Sequence, residues 1–205
     1  PKVVCRNIMV KRIFDIVCSV CGILVLSPLL FWAAWRIKKE DHGPVFYRGE
    51  RVGLRGQIFR IYKFRTMVVD AEKLGASSTS DDDERITRIG KFLRKYKLDE
   101  LPQLINVLKG DMSLVGPRPE VKKFTDMYTN DEKVILSLRP GITDWASIWN
   151  PDEGALLAGS ADPDRDYIEK IRPEKIRLQM KYFKEQSFLT DIKIILLTLK
   201  TILSK

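Results

Sequence analysis

The sequence predicts an α+β fold that is mostly helical, with a small β-hairpin and an N-terminal membrane helix. Three observations support this prediction: a long apolar segment near the N-terminus, two short alternating segments after it, and several later stretches with helical spacing of apolar residues. A chain of 205 residues can bury one core and carry an appendage. We therefore expect a membrane anchor over residues 1–39 and a cytoplasmic domain over residues 40–205.

The apolar segment runs from Ile13 to Trp35, which is long enough for a membrane span of about 20 residues. Pro28 lies inside it, where a proline removes a backbone donor and bends the helix. The part before the break, Ile13 to Ser27, would rise only about 22 Å, short of a hydrocarbon core of about 30 Å. Basic residues flank the segment at both ends, and basic residues mark the cytoplasmic side of a membrane.

A re-entrant helix, which enters the membrane, breaks at Ser27-Pro28 and returns, agrees with all of these observations. The Ser27 hydroxyl would then satisfy a carbonyl that the proline leaves without its usual donor. A single kinked span is the main alternative, because kinked membrane helices are common. A cleaved signal peptide is disfavoured, since no convincing small-residue cleavage site follows the apolar run.

After the apolar segment, residues 44–48 and 57–65 alternate between apolar and polar side chains, as strands do. The stretch 53–56 between them contains two glycines and is typical of a turn, so the pair predicts a β-hairpin. Residues 76–84 are rich in serine and aspartate, which favours a mobile loop.

Two helices are predicted next. Residues 85–94 have helical spacing, with three aliphatic side chains on one face. A second helix is expected from about Asp99 to Leu108, with Asp99 as its N-cap and a stop at Gly110. Pro102 is tolerated in the first turn of that helix, where the backbone donors have no helical partner.

The C-terminal half predicts three further helical segments, at residues 120–138, 173–184 and 188–203. The last is amphipathic, with Lys193 and Lys200 away from an apolar stripe. We expect this helix either to pack on the domain or to lie at the membrane interface, and core packing is the commoner outcome.

Charge and cysteine content narrow the class of protein. The formal net charge of +9 suits a nucleic-acid binder or a protein on an anionic lipid surface. No recognisable nucleic-acid-binding motif accompanies this charge, so no nucleic-acid partner is expected. The three cysteines all lie in or before the apolar segment, which excludes a disulfide framework and a repeated Cys/His zinc spacing in the domain.

The adjacent acids Asp99 and Glu100 would ordinarily be only favourable charges at a helix start. A helix N-terminus, however, offers backbone donors to an anion, and a carboxylate beside it can hold Mg²⁺ together with substrate phosphates. The second carboxylate is then available to attack phosphorus and form an acyl phosphate. The pair therefore predicts a site for a phosphorylated substrate.

Such a site also needs cations for the phosphate oxygens. Lys63 and Arg65 lie at the end of the second predicted strand. Arg118 lies between two prolines, which restrict its backbone and orient its side chain. Arg139 precedes Pro140-Gly141 and is the fourth candidate.

Five motifs that carry these residues occur in a fixed order along the chain. They are Lys63-Phe64-Arg65-Thr66-Met67, Leu98-Asp99-Glu100-Leu101-Pro102-Gln103, Asn106-Val107-Leu108-Lys109-Gly110-Asp111-Met112-Ser113, Val115-Gly116-Pro117-Arg118-Pro119 and Arg139-Pro140-Gly141-Ile142-Thr143. From about Lys11 to Lys200 the chain closely resembles the bacterial sugar transferases, the monotopic phosphoglycosyl transferases. Its length resembles the small members, which are little more than the catalytic domain.

The resemblance implies a two-step reaction. Asp99 matches the family's nucleophile, which attacks the β-phosphate of a UDP-sugar, releases UMP and holds a covalent phosphosugar. Undecaprenyl phosphate then takes the phosphosugar and becomes a polyprenyl-diphosphate sugar. Glu100 matches the second carboxylate, a Mg²⁺ ligand or an acid/base group, so the metal would be held at Asp99 and Glu100.

The resemblance also implies phosphate contacts, a location and partners. Lys63, Arg118 and Arg139 match phosphate-contacting positions, and Arg65 is a weaker match. The hydrophobic segment would be re-entrant with its break at Ser27-Pro28, so the protein would be monotopic at the cytoplasmic face of the bacterial inner membrane. Its partners would be a UDP-sugar, undecaprenyl phosphate and inner-membrane phospholipid, and a homodimer stays open.

After Thr143 the chain departs from the pattern that many members share. It reads Asp144-Trp145-Ala146-Ser147-Ile148-Trp149-Asn150 where many members have Gly-Xaa-Ala-Gln, and a further stretch follows at residues 153–166. This region lies where nucleotide or sugar specificity is set, so the sugar is not predicted. A membrane-bound scaffold that kept the fold and lost the chemistry is the alternative function, although the acids and cations are intact.

Overall fold

The chain begins with a 40-residue helix, α1 (Lys2–Asp41), whose two long faces differ in exposure. The computed structural model describes residues 2–71, 74–75 and 78–204. One face of α1 packs on the rest of the molecule and includes the buried residues Asp15, Ser19, Ala33 and Ile37. The other face exposes large apolar side chains at Met9, Ile13, Val20, Leu24, Phe31 and Trp35. From Met9 to Asp41 the helix is long and apolar enough to cross a membrane.

Both ends of α1 are attached to the folded domain. Near its start, Arg12 donates to the carbonyls of Val107 (2.6 Å) and Leu108 (3.0 Å), and Asp15 accepts from the backbone N–H of Leu114 at 3.1 Å. Near its end, Ile37 packs in an apolar cluster that includes residues 89 and 93 of the domain. The two ends of the apolar stretch therefore lie on the same body.

The predicted break at Ser27-Pro28 is not confirmed, since α1 runs through both residues as one helix. Pro28 has no N–H for the carbonyl of Leu24, four residues earlier. The Ser27 hydroxyl donates to that carbonyl at 2.8 Å, as the sequence led us to expect. The proline's missing hydrogen bond is thus replaced locally, and the re-entrant path stays a prediction.

The predicted hairpin is confirmed, with shorter strands than expected. It is built from two antiparallel pairs that follow one another along the hairpin, joined at the tip by residues 53–57. The pairs are β1 (Phe46–Tyr47) with β4 (Lys63–Phe64), and β2 (Glu50–Val52) with β3 (Ile58–Arg60). Between them the N–H of Ile61 donates to the carbonyl of Gly49 at 3.0 Å. The hairpin carries Lys63 to the centre of the molecule.

The helix predicted at residues 85–94 is confirmed as α2 (Arg88–Lys95). Thr87 caps it by accepting from the N–H of Gly90 at 3.0 Å. Its apolar side chains Ile89 and Leu93 are buried against α1. The loop predicted at residues 76–84 has no helix or strand over its described part, residues 78–84, and its first two residues lie outside the described ranges.

The predicted N-cap at Asp99 is wrong. Residues Leu98–Glu100 form a separate 3₁₀ turn, and α3 (Gln103–Lys109) starts only after Pro102, which occupies the cap position. A proline fits there because its fixed φ suits a helix start and its missing N–H is not needed. The predicted end of the helix is correct, since Gly110 terminates α3 with a left-handed backbone, at φ of 91°.

A parallel pair that the sequence did not predict joins β5 (Ser113–Val115) to β6 (Gly141–Thr143). At one point the backbones of the two paired segments approach so closely that a side chain has no room. A Cβ at Gly141 would lie 2.0 Å from the backbone nitrogen of Gly116. This contact explains the glycine in both of the motifs that flank the pair.

The C-terminal half is helical, in shorter pieces than predicted. Residues 120–138 form only α4 (Lys122–Thr125) and a 3₁₀ stretch at Glu132–Ser137. Three short helices and then a π-helical turn at Tyr167–Ile171 precede the two long ones. These helices are α5 (Trp145–Trp149), α6 (Glu153–Leu156), α7 (Pro163–Asp166), α8 (Arg172–Glu185) and α9 (Phe188–Leu203).

Helix α9 packs on the domain with one face only. Ile194 is fully buried in a cluster with Val115 and Tyr182, so the expected core packing is present. Leu189 and Leu196, in contrast, are 80% and 61% exposed. An interfacial position for this open face stays a prediction.

Candidate active site

Asp99 and Glu100 lie on the 3₁₀ turn between α2 and α3, on the wall of a large cleft. The turn follows Lys97, whose left-handed backbone (φ of 55°) ends the preceding helix and redirects the chain. The cleft has a volume of about 1030 Å³. Both carboxylates are withdrawn from bulk solvent, since Asp99 is 8% exposed and the Glu100 side chain 15%.

Glu100 is held by two of the predicted phosphate-binding cations. Lys63 Nζ lies 2.9 Å from Oε1, Arg118 Nη1 donates to Oε2 at 3.2 Å, and Arg118 Nη2 donates to Oε1. Burial raises the pKa of Glu100, but the charges of Arg118 and Lys63 outweigh burial and hold that pKa well below its ordinary value. Glu100 is therefore a permanent anion that orients two cations at the cleft.

Asp99 is in the opposite situation. Its Oδ1 is buried and has no hydrogen-bond partner among the residues that the structure describes. Burial raises the pKa of Asp99; the charge of Lys63 opposes this shift, and the charge of Glu100 adds to it. A buried carboxylate oxygen without a hydrogen-bond partner is the kind of group that a bound substrate or metal ion can satisfy.

A third cation at the carboxylates was missed from the sequence. Arg94 of α2 lines the cleft and donates from Nε to Thr66 Oγ1 at 2.9 Å. Burial lowers the pKa of Arg94, and the charge of Asp99 opposes this shift. Arg94 is one of several basic residues on α2 and comes directly after the buried Leu93. Nothing in the sequence indicated that this arginine, rather than the others, faces the acids.

A buried charge cluster supports the turn that carries Arg118, and it too was missed. The adjacent Glu120 lies 2.5 Å from Lys175 Nζ and accepts from the Tyr167 hydroxyl at 2.8 Å. Lys175 also contacts Glu153 at 3.2 Å. Burial would lower the pKa of Lys175, but the two carboxylates raise that pKa well above its ordinary value. The cluster ties the Arg118 turn to α6 and α8, and only the proximity of Glu120 to Arg118 in sequence could have indicated it.

Arg65 is engaged away from the carboxylates. Its guanidinium donates to Asp41 Oδ2 at 2.6 Å and to the carbonyls of Pro44 (2.6 Å) and Met67 (3.2 Å). The hydrogen bonds from Arg65 lower the pKa of Asp41 to about 2. Arg65 thus fastens the end of α1 to the hairpin, and its contact with phosphate stays a prediction.

Arg139 is not brought to the carboxylates either. It is not among the described residues that line the cleft, and its electrostatic neighbours are Arg12, Asp15 and Asp111 at the base of α1. Burial lowers the pKa of Arg139, and the charge of Arg12 adds to this shift. The structure therefore brings together Lys63, Arg118, Asp99 and Glu100 of the predicted site, and separates Arg139 from them.

The carboxylates fit a magnesium ion that is shared with a substrate. Within residues 2–71, 74–75 and 78–204 there is no group of three or more His, Cys, Asp or Glu side chains that could hold a metal alone. Mg²⁺, however, is usually bound by one or two carboxylates together with substrate phosphates. The unpartnered Oδ1 of Asp99 beside the ionised Glu100 is a donor set of this kind.

Comparison with known proteins finds one matching family model and several similar proteins. Residues 6–205 match the model of a family described as bacterial sugar transferase. A UDP-N-acetylgalactosamine-undecaprenyl-phosphate N-acetylgalactosaminephosphotransferase from Aeromonas hydrophila is 41% identical over 198 residues, which cover 95% of this chain and 44% of that protein. Galactosyl transferase CpsE from Streptococcus agalactiae is 41% identical over 96% of this chain and 43% of its own length.

A third relative is the undecaprenyl-phosphate galactose phosphotransferase of Salmonella typhimurium, which is 36% identical over 95% of this chain and 40% of its own length. The chain thus spans less than half the length of these three relatives. The range that matches the family model, residues 6–205, contains all of the residues that line the cleft.

Proposed function

We propose that this chain, which belongs to the bacterial sugar transferase family, transfers a sugar-1-phosphate from a UDP-sugar to undecaprenyl phosphate. The family membership confirms the resemblance seen in the sequence. The names of two relatives specify phosphotransfer to undecaprenyl phosphate, which supports the acceptor. The observation that carries the proposal is the cleft itself, where Asp99, whose Oδ1 has no hydrogen-bond partner among the described residues, lies beside Glu100 and its two cations. The product would start a surface glycan such as capsule, O-antigen, exopolysaccharide or a glycoprotein glycan.

In the first step an ionised oxygen of Asp99 attacks the β-phosphorus of the UDP-sugar. A new bond forms between the carboxylate and phosphorus, and the bond from phosphorus to the oxygen bridging the α-phosphate breaks. Its electron pair leaves with UMP, and the phosphosugar stays on Asp99 as an acyl phosphate. Lys63, Arg94 and Arg118 line the cleft and stabilise the negative charge on the phosphate oxygens.

In the second step a phosphate oxygen of undecaprenyl phosphate attacks the same phosphorus. The bond to Asp99 breaks, the carboxylate is restored, and the product is undecaprenyl-diphosphate sugar. Two easier displacements thus replace one between two anionic substrates. Over both steps, UMP carries away the α-phosphate of the donor, and the β-phosphate ends in the lipid product.

The geometry favours one of the two roles considered for Glu100. A carboxylate whose pKa is held well below its ordinary value carries no proton to donate near neutral pH. Glu100 therefore positions Lys63 and Arg118 and, with Asp99, holds Mg²⁺. The bound ion supplies positive charge to the phosphate oxygens of the donor.

The attachment of α1 supports a monotopic anchor, and the basic residues at both ends of the apolar segment favour the cytoplasmic face of the inner membrane. Residues Arg12 and Ile37, near the two ends of the apolar segment, both contact the folded domain. A helix that crossed the bilayer once would carry one of these ends to the opposite side. The exposed apolar face of α1 and the open face of α9 then contact phospholipid.

UMP release from UDP-sugars, with Mg²⁺ and undecaprenyl phosphate, tests the chemistry. We expect Asp99→Asn to lower UMP release by about a thousandfold or more, because the nucleophile is lost. The exposed Asp131→Asn is the matched control and should leave UMP release unchanged. A screen of UDP-sugars on the wild type identifies the donor.

The alternative function, a scaffold without catalysis, predicts a different result. The wild type would release no UMP from any UDP-sugar, although it would be folded and membrane-bound. If the wild type and Asp99→Asn released UMP equally, Asp99 would not be the nucleophile.

A further inference from the structure

The cleft has an apolar wall in addition to its charged one. The charged wall carries Asp99, Glu100 and the cations described above. The apolar wall comes from α3, β5, β6 and α9. Its aliphatic members are Leu104, Leu114, Ile142, Ile195, Leu199 and Ile202.

The apolar wall is partly open to the surroundings along α9. Leu199 is 51% exposed and Ile202 is 41% exposed, although both line the cleft. They lie three residues apart and so share one face of the helix. The helix beneath them is fixed, because Ile194 is fully buried and the Thr198 hydroxyl hydrogen-bonds that of Thr143 on β6 at 2.7 Å. The leucine and isoleucine are therefore held at the mouth of the cleft.

The same wall also reaches the membrane helix. Leu104 lies in van der Waals contact with α1, since its Cδ1 is 3.2 Å from the position that a Cβ on Gly22 would occupy. Gly22 is in the middle of the apolar segment. Leu104 thus both lines the cleft and contacts the apolar segment, and it lies in the helix that follows the turn with Asp99 and Glu100.

Building on the proposed function, we infer that the α9 side of this wall binds the hydrocarbon chain of the acceptor lipid next to its phosphate. The occupant is a linear isoprenoid phosphate, an anion at one end and a hydrocarbon elsewhere. The cleft has groups of both kinds, since the cations Lys63 and Arg118 line it together with the apolar Leu199 and Ile202. A nucleotide sugar has no hydrocarbon chain, so it gains little from a long aliphatic wall.

Helix α9 also provides a matched control. Leu189 and Leu196 are 80% and 61% exposed on the same helix, but neither lines the cleft. A membrane-anchoring role of α9 would involve these two leucines at least as strongly as Leu199 and Ile202. A chain-binding role would involve only the pair that lines the cleft.

The test compares Leu199→Ser/Ile202→Ser with Leu189→Ser/Leu196→Ser, both purified in detergent. The first half-reaction is measured by exchange of labelled UMP into the UDP-sugar, which needs no acceptor. The complete reaction is measured with undecaprenyl phosphate and with geranyl phosphate, whose chain is short. Exchange in the wild type tests the first step of the proposed function, and product formation from undecaprenyl phosphate in the wild type tests the second, both independently of this inference.

We expect the Leu199→Ser/Ile202→Ser variant to exchange UMP at the wild-type rate and to show a KM for undecaprenyl phosphate raised about tenfold. Its KM for geranyl phosphate should rise by a similar factor, because the isoprene units next to the phosphate are the ones that contact the wall. The Leu189→Ser/Leu196→Ser variant should keep the wild-type KM for both acceptors.

Two outcomes would overturn the inference. An equal rise of KM in both double variants would mean that α9 only anchors the protein in lipid. An unchanged KM for undecaprenyl phosphate in Leu199→Ser/Ile202→Ser would place the acceptor chain elsewhere. If the wild type showed no exchange, the proposed function itself would fail.

Discussion

Two neighbouring carboxylates, Asp99 and Glu100, have opposite electrostatic surroundings. Glu100 is ion-paired with Lys63 and Arg118 and stays ionised, whereas Asp99 is buried with an unpartnered oxygen and a raised pKa. Divergent pKa values in a pair of acids assign different chemical roles to its members. Burial disfavours the ionised form of Asp99, and a metal ion bound beside it would offset that cost.

The pH dependence of the first half-reaction follows from these shifts. UMP exchange requires ionised Asp99, so its rate should fall as the pH drops through the raised pKa of this acid. Lys63 lowers the pKa of Asp99. We therefore expect Lys63→Met to move the acidic midpoint of the exchange rate to higher pH, in addition to slowing exchange.

Arg60→Met is the control for this shift, because Arg60 is a 66% exposed cation on the neighbouring strand and does not line the cleft. Its midpoint should equal that of the wild type. Two other results are conceivable for Lys63→Met: the acidic midpoint of the exchange rate stays in place, or it moves to lower pH. Either result would contradict the assignment of the loss of exchange at low pH to protonation of Asp99.

At the scale of elements, the sequence predicted the helices and strands whose formation depends on residues close together in the chain. The hairpin, α2, α8 and α9 follow from alternation, periodicity and capping residues, all of which are read within a few residues of each other. The pairing of β5 with β6 was missed, because two three-residue strands from distant parts of the chain carry no periodic signal. The role of Arg94 and the Lys175 cluster were missed for a related reason, since each depends on contacts between distant segments.

The close contact between β5 and β6 makes Gly141 a sensitive position. We expect Gly141→Ala to lower the free energy of unfolding by about 2–4 kcal/mol, because its Cβ would overlap the backbone of Gly116. Gly56→Ala is the control, since Gly56 has open space around it and only a positive φ of 77°. Its cost should be about 1 kcal/mol.

Denaturant unfolding in detergent, followed by circular dichroism, measures both variants. If Gly141→Ala and Gly56→Ala lowered the free energy of unfolding equally, the backbone conformation of glycine, rather than crowding between β5 and β6, would explain the destabilisation.

At the scale of the whole molecule, the membrane helix and the folded domain share one core. Ala33 and Ile37 of α1 pack with Phe64, Ile89 and Leu93 of the domain. At the other end of α1, Lys11 forms an ion pair with Asp191 of α9. The basic residues near the start of α1, which the sequence suggested only as a topology signal, therefore also attach the anchor to the domain.

This arrangement predicts that both ends of the apolar segment face the cytoplasm. In a variant with the native cysteines replaced, single cysteines at Lys2 and Lys39 should both be protected from a membrane-impermeant thiol reagent in intact spheroplasts. Both should react after lysis, because both positions lie outside the apolar segment from Ile13 to Trp35. A cysteine at the exposed Asp131 reports the location of the domain. Labelling at Lys2 with protection at Asp131 would demonstrate a single span instead.

The hydrogen bonds from Arg12 to the last carbonyls of α3 have a mechanical consequence. Helix α3 begins just after the turn that carries Asp99 and ends, seven residues later, where the guanidinium from the anchor caps it. A helix of that length measures about 10 Å. In the proposed monotopic anchor, this helix holds Asp99 at that distance from the membrane helix, so the length of one short helix limits how far a lipid phosphate has to rise to reach the proposed nucleophile.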